Sequence, residues 1–98
     1  MTPFLTRLAD GSLEVTIEVT NRGSAGVTNV EITDVVLQGK RPDRYLPTVR
    51  TRIDKGKTMT RHVRLAAGAG TSGQHAMLHV TLGYVGGSEH EGIDVQLP

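Results

Sequence analysis

The stretch from Leu13 to Ile32, LEVTIEVTNRGSAGVTNVEI, limits the possible folds more than any other part of this chain. In an extended segment Leu13, Val15, Ile17 and Val19 fall on one face, and Glu14, Thr16, Glu18 and Thr20 on the other. A period of two over eight residues is the pattern of a half-buried β-strand. Asn21, Gly23 and Gly26 interrupt it, and Val27, Val30 and Ile32 begin a second apolar series. The apolar residues are mostly Val, Leu and Ile, with no Trp, a single Phe (Phe4) and two Tyr (Tyr45 and Tyr84). With Thr added, such side chains suit a pleated sheet better than a helix.

The same logic runs along the rest of the chain. Phe4, Thr6 and Leu8 alternate with Leu5 and Arg7, and Asp10-Gly11 then separates them from the Leu13 strand. Asp-Gly between alternating runs predicts a two-residue hairpin turn. Leu8 then faces Leu13, and Arg7 faces Glu14 as an exposed opposite-charge pair. A third strand runs from Val27 to about Gln38. Its inward parity changes between Ile32 and Val35, which a bulge near Thr33-Asp34 would repair. Gly39 to Pro47 reads as a loop, and Thr48 to Ile53 as a short edge strand whose arginines discourage pairing with another sheet.

Asp54 to Lys57 forms a turn. Met59, Val63 and Leu65 point inward on the next strand, although Arg61 breaks their pattern. Ala66 to Gln74 is a flexible connection. Ala76, Leu78, Val80, Leu82 and Tyr84 make the clearest inward series after the first, and Gly86-Gly87-Ser88 closes a hairpin onto Ile93, Val95 and Leu97. A regular hairpin there sets Tyr84 against Glu91, Leu82 against Ile93 and Val80 against Val95. The chain therefore has about seven strands, with turn signals every ten to fifteen residues and no sustained 3.6-residue period. That predicts an all-β, two-sheet antiparallel sandwich. Its core should hold Val15, Ile17, Ile32, Leu78, Val80, Leu82 and Val95.

With 98 residues, 37% hydrophobic and 21% charged, residues 1–98 are expected to form a single domain with one core rather than a disordered chain. The absence of cysteine removes disulfides, thiolate catalysis and Cys-bound zinc. No apolar run approaches the roughly 20 residues of a membrane-spanning helix, and MTPFLTRLAD lacks the basic start and apolar stretch of a signal peptide. A net charge of +1 provides no global field toward nucleic acid or membrane. The charge is uneven, however. Lys40 to Arg64 carries nine Lys and Arg against Asp43 and Asp54, while the segments on either side are each at −3.

Three phrases resemble a known family. VTIEVTNRGSAGVTNVEITDVVL is similar to the opening of bacterial immunoglobulin-like modules of the CARDB (cell-adhesion-related) type. IDKGKTMTRHVRL is similar to their apolar-x-Pro-Gly-x-Thr step into the next strand, with Lys55 where Pro is usual. LHVTLGYVGGSEHEGIDVQLP resembles their Tyr-x-Gly-Gly, closing strand and Leu-Pro. The resemblance spans nearly all of the chain from Leu13. It implies an immunoglobulin-like antiparallel β-sandwich in a secreted or cell-surface bacterial protein, working as a spacer or adhesion accessory. Neighbouring domains or another protein are then the expected partners. It brings no catalytic residues. On this basis the chain is expected to be a module of a longer protein, with a cytosolic location as the alternative.

Other chemistries fare poorly on spacing. His75 and His79 are four apart, which on a strand is roughly 13–14 Å, too far for one ion. His62 and His90 lie on other elements. The acids form no EF-hand loop, no Ser sits in Gly-x-Ser-x-Gly, and Gly68, Gly70 and Gly73 lack the spacing, the Lys and the helix of a phosphate loop. No catalytic residue, cofactor or metal is expected. The remaining surface feature is the basic segment. Arg41, Arg44, Arg50 and Arg52 are the candidate contacts for an anionic polymer or protein partner, by the bidentate geometry of guanidinium. Tyr45 alone is available there to stack a base, so nucleic acid is not an expected partner. The competing expectation is that these arginines simply guard a sheet edge.

Overall fold

The structure is a computed structural model and describes residues 1–42, 50–66 and 70–98. It contains seven strands: β1 (Thr2–Arg7), β2 (Leu13–Thr20), β3 (Val27–Leu37), β4 (Thr51–Ile53), β5 (Thr58–Leu65), β6 (His75–Tyr84) and β7 (Gly87–Gln96). No helix occurs among the described residues. The strands form two antiparallel sheets, ordered β1-β2-β5 and β4-β3-β6-β7. This is an immunoglobulin-like β-sandwich in which β4 joins the sheet of β3 instead of that of β5.

The alternation of β2 decides the packing. Leu13, Val15 and Ile17 are completely buried and Val19 nearly so. From the other sheet Val30, Ile32, Val35 and Leu37 of β3 meet them, with Ala76, Leu78, Val80 and Leu82 of β6, in one hydrophobic cluster. All seven expected core residues are buried. The expected bulge is present too, because the β3–β6 register shifts between Ile32 and Asp34 and both Ile32 and Val35 thereby face inward. A second irregularity, between Val27 and Val30 on the β4 side, places Asn29 at φ 57°.

Two hairpins differ from expectation. The β1–β2 turn holds three residues, Ala9-Asp10-Gly11, because Leu8 N–H donates to Ser12 O (2.8 Å) and Gly11 N–H to Leu8 O (3.0 Å). Gly11 has φ 87°, so the turn is type I followed by a left-handed glycine, which matches strand twist with one more residue than Asp-Gly alone. The register is therefore Arg7 opposite Leu13 and Leu5 opposite Val15. A slip of one residue exchanges the faces of a strand. Leu5 packs against the core and Phe4 is 51% exposed.

The β6–β7 turn is only Val85-Gly86, with Gly86 at φ 99°, and Tyr84 faces Gly87. Leu82 then faces Glu89, Val80 faces Glu91 and Leu78 faces Ile93. The displacement from the expected register is even, so parity survives and Val95 and Leu97 remain buried.

Arg61 takes an inward position on β5, but β5 is an edge strand. Its guanidinium reaches across to the Thr51 hydroxyl on β4 and donates to Thr60 O (2.9 Å). Thr51 to Ile53 bears out the edge strand; Thr48 and Val49 lie outside the described residues.

Asn21, where the apolar alternation stops, is buried and is bonded by every polar group it has. Its Nδ2 donates to Ala25 O (2.8 Å) and Ile53 O (2.9 Å), and its Oδ1 accepts from Gly23 N–H (2.9 Å). Its backbone N–H donates to Lys57 O (2.9 Å) and its carbonyl accepts from Gly56 N–H (2.8 Å). It thus ties the β2–β3 turn to the β4–β5 turn, where the chain crosses between sheets. Asn21→Ala should cost about 2–4 kcal/mol, because it leaves buried backbone groups without partners. The check is the urea midpoint at unchanged m-value.

Asp10 closes the other pole. Its carboxylate accepts from the Ser12 hydroxyl (2.5 Å) and Ser12 N–H (2.9 Å), and pairs with Arg64 of β5. The Ser12 hydroxyl, then the Ser12 amide and then the Arg64 charge hold this carboxyl below its ordinary value. A depressed pKa contributes stability that is present above the ordinary carboxylate value and lost as pH falls through the folded one. Asp10→Asn should therefore lose less of its urea midpoint than the wild type between about pH 5 and pH 2.

Candidate functional site

The basic edge is built on β3 and β4. Among the described residues β4 pairs only with β3 and forms the edge of that sheet. Arg50 precedes β4, and its Nε lies 3.6 Å from the Glu31 carboxylate on β3. Arg52, on the outer face of β4, places Nε 2.8 Å from Asp54 Oδ1 and donates from Nη1 to Thr28 Oγ1 (3.1 Å). Its guanidinium occupies the space that a side chain at Gly26 would need. Arg41, beyond β3, places Nε 3.3 Å from Asp34 Oδ1. Arg44 lies outside the described residues.

Each described arginine of the expected quartet thus has its own acid. Glu31 and Asp34 are three residues apart, about 10 Å of strand, so the guanidinium groups are strung along β3 and do not meet at one point. All three are largely exposed, and such pairs are each worth about 0–1 kcal/mol. What they do together is place alternating charge along this sheet edge, a known bar to edge-to-edge pairing.

At the pole beside Asn21 the two sheets part and leave a cleft of about 630 Å³. The ends of the core rows line it (Val19, Val30, Ile53, Leu82), with Tyr84, Glu18 and Glu89 at its polar margin. Tyr84 hydroxyl donates weakly to Glu89 Oε1 (3.5 Å). Among the described residues, the hydroxyls that line the cleft with these carboxylates are those of Thr2, Thr20 and Tyr84.

On the outer face of the β1-β2-β5 sheet, Glu14, His62 and Thr16 superficially suggest an acid–base–hydroxyl relay. Thr16 Oγ1 is 2.9 Å and Glu14 Oε1 3.7 Å from the same atom, His62 Nδ1. A relay needs the hydroxyl on one ring nitrogen and the carboxylate on the other. The cluster is instead a surface cross-strand network. Among the described residues no three His, Cys, Asp or Glu side chains gather where an ion could sit.

The outer face of the β6–β7 hairpin holds what the sequence left apart. His79 and His90 stack, with ring centroids 5.4 Å apart and planes inclined by 17°. His75 Nδ1 lies 3.5 Å from Asp94 Oδ1. The expected hairpin register conceals the stack by placing His79 opposite Gln96; the observed one places it opposite Gly92, diagonal to His90.

The chain matches no protein-family model, no curated protein and no solved structure.

The arrangement on β3 and β4 makes a definite statement about the edge. Replacing Arg50 and Arg52 together by Val should produce concentration-dependent association in sedimentation velocity, whereas replacing both by Glu should leave the association state of the wild type unchanged.

Proposed function

We propose that this chain is a non-catalytic immunoglobulin-like module of the CARDB type, serving in a longer secreted or surface bacterial protein to space or dock neighbouring parts. The observation that carries the proposal is where the two ends of the chain emerge. Met1 lines the cleft beside Asn21, at the pole of the β2–β3 turn. Pro98 O accepts from Arg7 Nε (3.1 Å), and the same guanidinium donates to Gly11 O (3.1 Å), so the C-terminal end lies at the opposite pole, beside the β1–β2 turn. β2 runs the whole way between the poles, eight residues or about 25 Å. The molecule measures 40 × 23 × 21 Å. Ends at opposite poles of an elongated sandwich suit a bead in a string, in which each copy adds its length to the reach of the chain.

The alternative is a binding module whose Lys40–Arg52 region engages an acidic polymer or protein. The internal ion pairs of Arg41, Arg50 and Arg52 favour the spacer. The test has two arms. In small-angle scattering, two copies joined by a short linker should reach nearly twice the maximum dimension of one copy. On immobilised heparin, the wild type should elute below physiological salt, because exposed charges are screened within about 8 Å there. Retention past that salt concentration, lost in the folded Arg50→Glu, Arg52→Glu variant, would establish the binding module instead.

A further inference from the structure

We propose that the outer edge of β7 takes on an extended segment of another protein as an added antiparallel strand, and that this segment carries two apolar side chains and then two Lys or Arg at alternate positions. Among the described residues β7 pairs only with β6, over ten residues, and its first six residues are exposed. The other edges are poorer templates. β4 runs only three residues, β1 contains Pro3, which has no N–H to offer, and β5 is bridged to β4 by Arg61 and Thr51.

The hairpin register fixes which backbone groups the edge presents. Tyr84 and Gly87 face each other across the two-residue turn, so they are its first bonded pair, and bonded pairs recur at every second residue. Leu97 N–H donates to Gln74 O (2.9 Å), which keeps the same alternation to the end of the strand. Glu89, Glu91, Ile93 and Val95 therefore use their N–H and C=O on β6. Those of Ser88, His90, Gly92 and Asp94 point outward and supply the ladder for a further strand. Across that ladder the inward residues fall at the non-bonded positions, where facing side chains come closest.

The inward row of β7 selects the partner. It reads Glu89, Glu91, Ile93 and Val95, two carboxylates and then two apolar side chains. Glu89 Oε1 has the Tyr84 hydroxyl at 3.5 Å, and Glu91 Oε2 lies 3.6 Å from the N-terminal ammonium, so this row already receives a cation. A groove of about 430 Å³ separates Ile93 and Val95 from Pro3, Phe4 and Leu5 of β1. Apolar side chains of the added strand would fill that groove and cover Phe4, while its cations meet Glu89 and Glu91. The same carboxylates repel the β7 edge of a second copy, so they discriminate as well as attract. An antiparallel strand meets the row in the order Val95, Ile93, Glu91, Glu89, which places its apolar residues before its basic ones. Such docking goes beyond a spacer role and does not require it.

The experiment titrates the intact chain with the peptide Thr-Val-Thr-Ile-Thr-Lys-Thr-Lys-Thr, acetylated and amidated, and follows the backbone amides by NMR and hydrogen exchange. On binding, exchange should slow at His90, Gly92 and Asp94 and change little at Glu89, Glu91 and Ile93, whose amides already bond to β6. Replacing both lysines of the peptide by Glu should weaken binding by about tenfold or more, because like charges then face each other. N-methylation of its central Thr, which faces Gly92, should weaken binding by about fivefold or more through the lost hydrogen bond, with no change to the protein. Glu89→Lys combined with Glu91→Lys, at exposed positions, should reverse the preference between the Lys and Glu peptides. The proposal is overturned by an absence of binding, by protection that does not alternate along β7 or falls on another strand, or by equal affinity for the two peptides. The same alternating protection in the concentrated chain without peptide would put a second copy on the edge, and would overturn it too.

Discussion

The structure depends on two rows of branched aliphatic side chains meeting between two sheets. Leu13, Val15 and Ile17 lie on one strand, Leu78 and Val80 on the facing sheet, and all five are fully buried. Burying such a side chain is worth about 1.5–3 kcal/mol, which is large beside the roughly 5–10 kcal/mol net stability of a small domain. No disulfide adds to it, because the chain has no cysteine. The bulge on β3 follows from the same demand. Without an extra residue between Ile32 and Val35 half of that strand would turn its apolar side chains to water.

Around that core, polar residues do the joining. Asn21 ends the first buried row and holds three backbone groups with its side chain alone. It fixes the turn through which the chain passes from β4 in one sheet to β5 in the other. Asp10 and Ser12 do similar work at the opposite pole, with Arg64 of β5 drawn onto the same carboxylate. Arg61 of β5 links the two sheets by bonding Thr51 of β4. Among the described residues no buried side-chain nitrogen or oxygen is left without a partner. The Asn21 and Arg61 links make the crossings between sheets specific where hydrophobic burial, which has no direction, could not.

The two outer edges of the larger sheet are charged in different ways. The β4 side bears arginines, each beside an acid of its own. The β7 side bears Glu89, Glu91 and Asp94, and its first six residues are exposed. Glu89 and Glu91 occupy inward positions of an edge strand, a placement that resists pairing with another sheet. The tight Val85-Gly86 turn is what puts them there. It also brings His79 beside His90, so one local choice of loop length shapes both the edge and the histidine face.

The sequence by itself determined the class of fold, the inward residues of β2, β3, β5 and β6, the bulge near Thr33 and the edge position of β4. Each follows from side-chain periodicity, which a strand expresses without help from distant residues. Tertiary structure alone decided the rest. Asp-Gly is compatible with loops of two or three residues, and only the pairing of Leu5 with Val15 settles that Phe4 faces solvent. The β6–β7 register could slide by an even step at no change in parity, so the strand pattern was silent about which histidines meet. Asn21 was legible as a turn residue but not as a clamp, because its partners Ile53 and Lys57 are more than thirty residues away. The basic segment was legible as charge, while its neutralisation by Glu31, Asp34 and Asp54 required the fold that places those acids alongside. Periodicity is a local property of the chain; register, clamping and ion pairing belong to whatever the fold brings together.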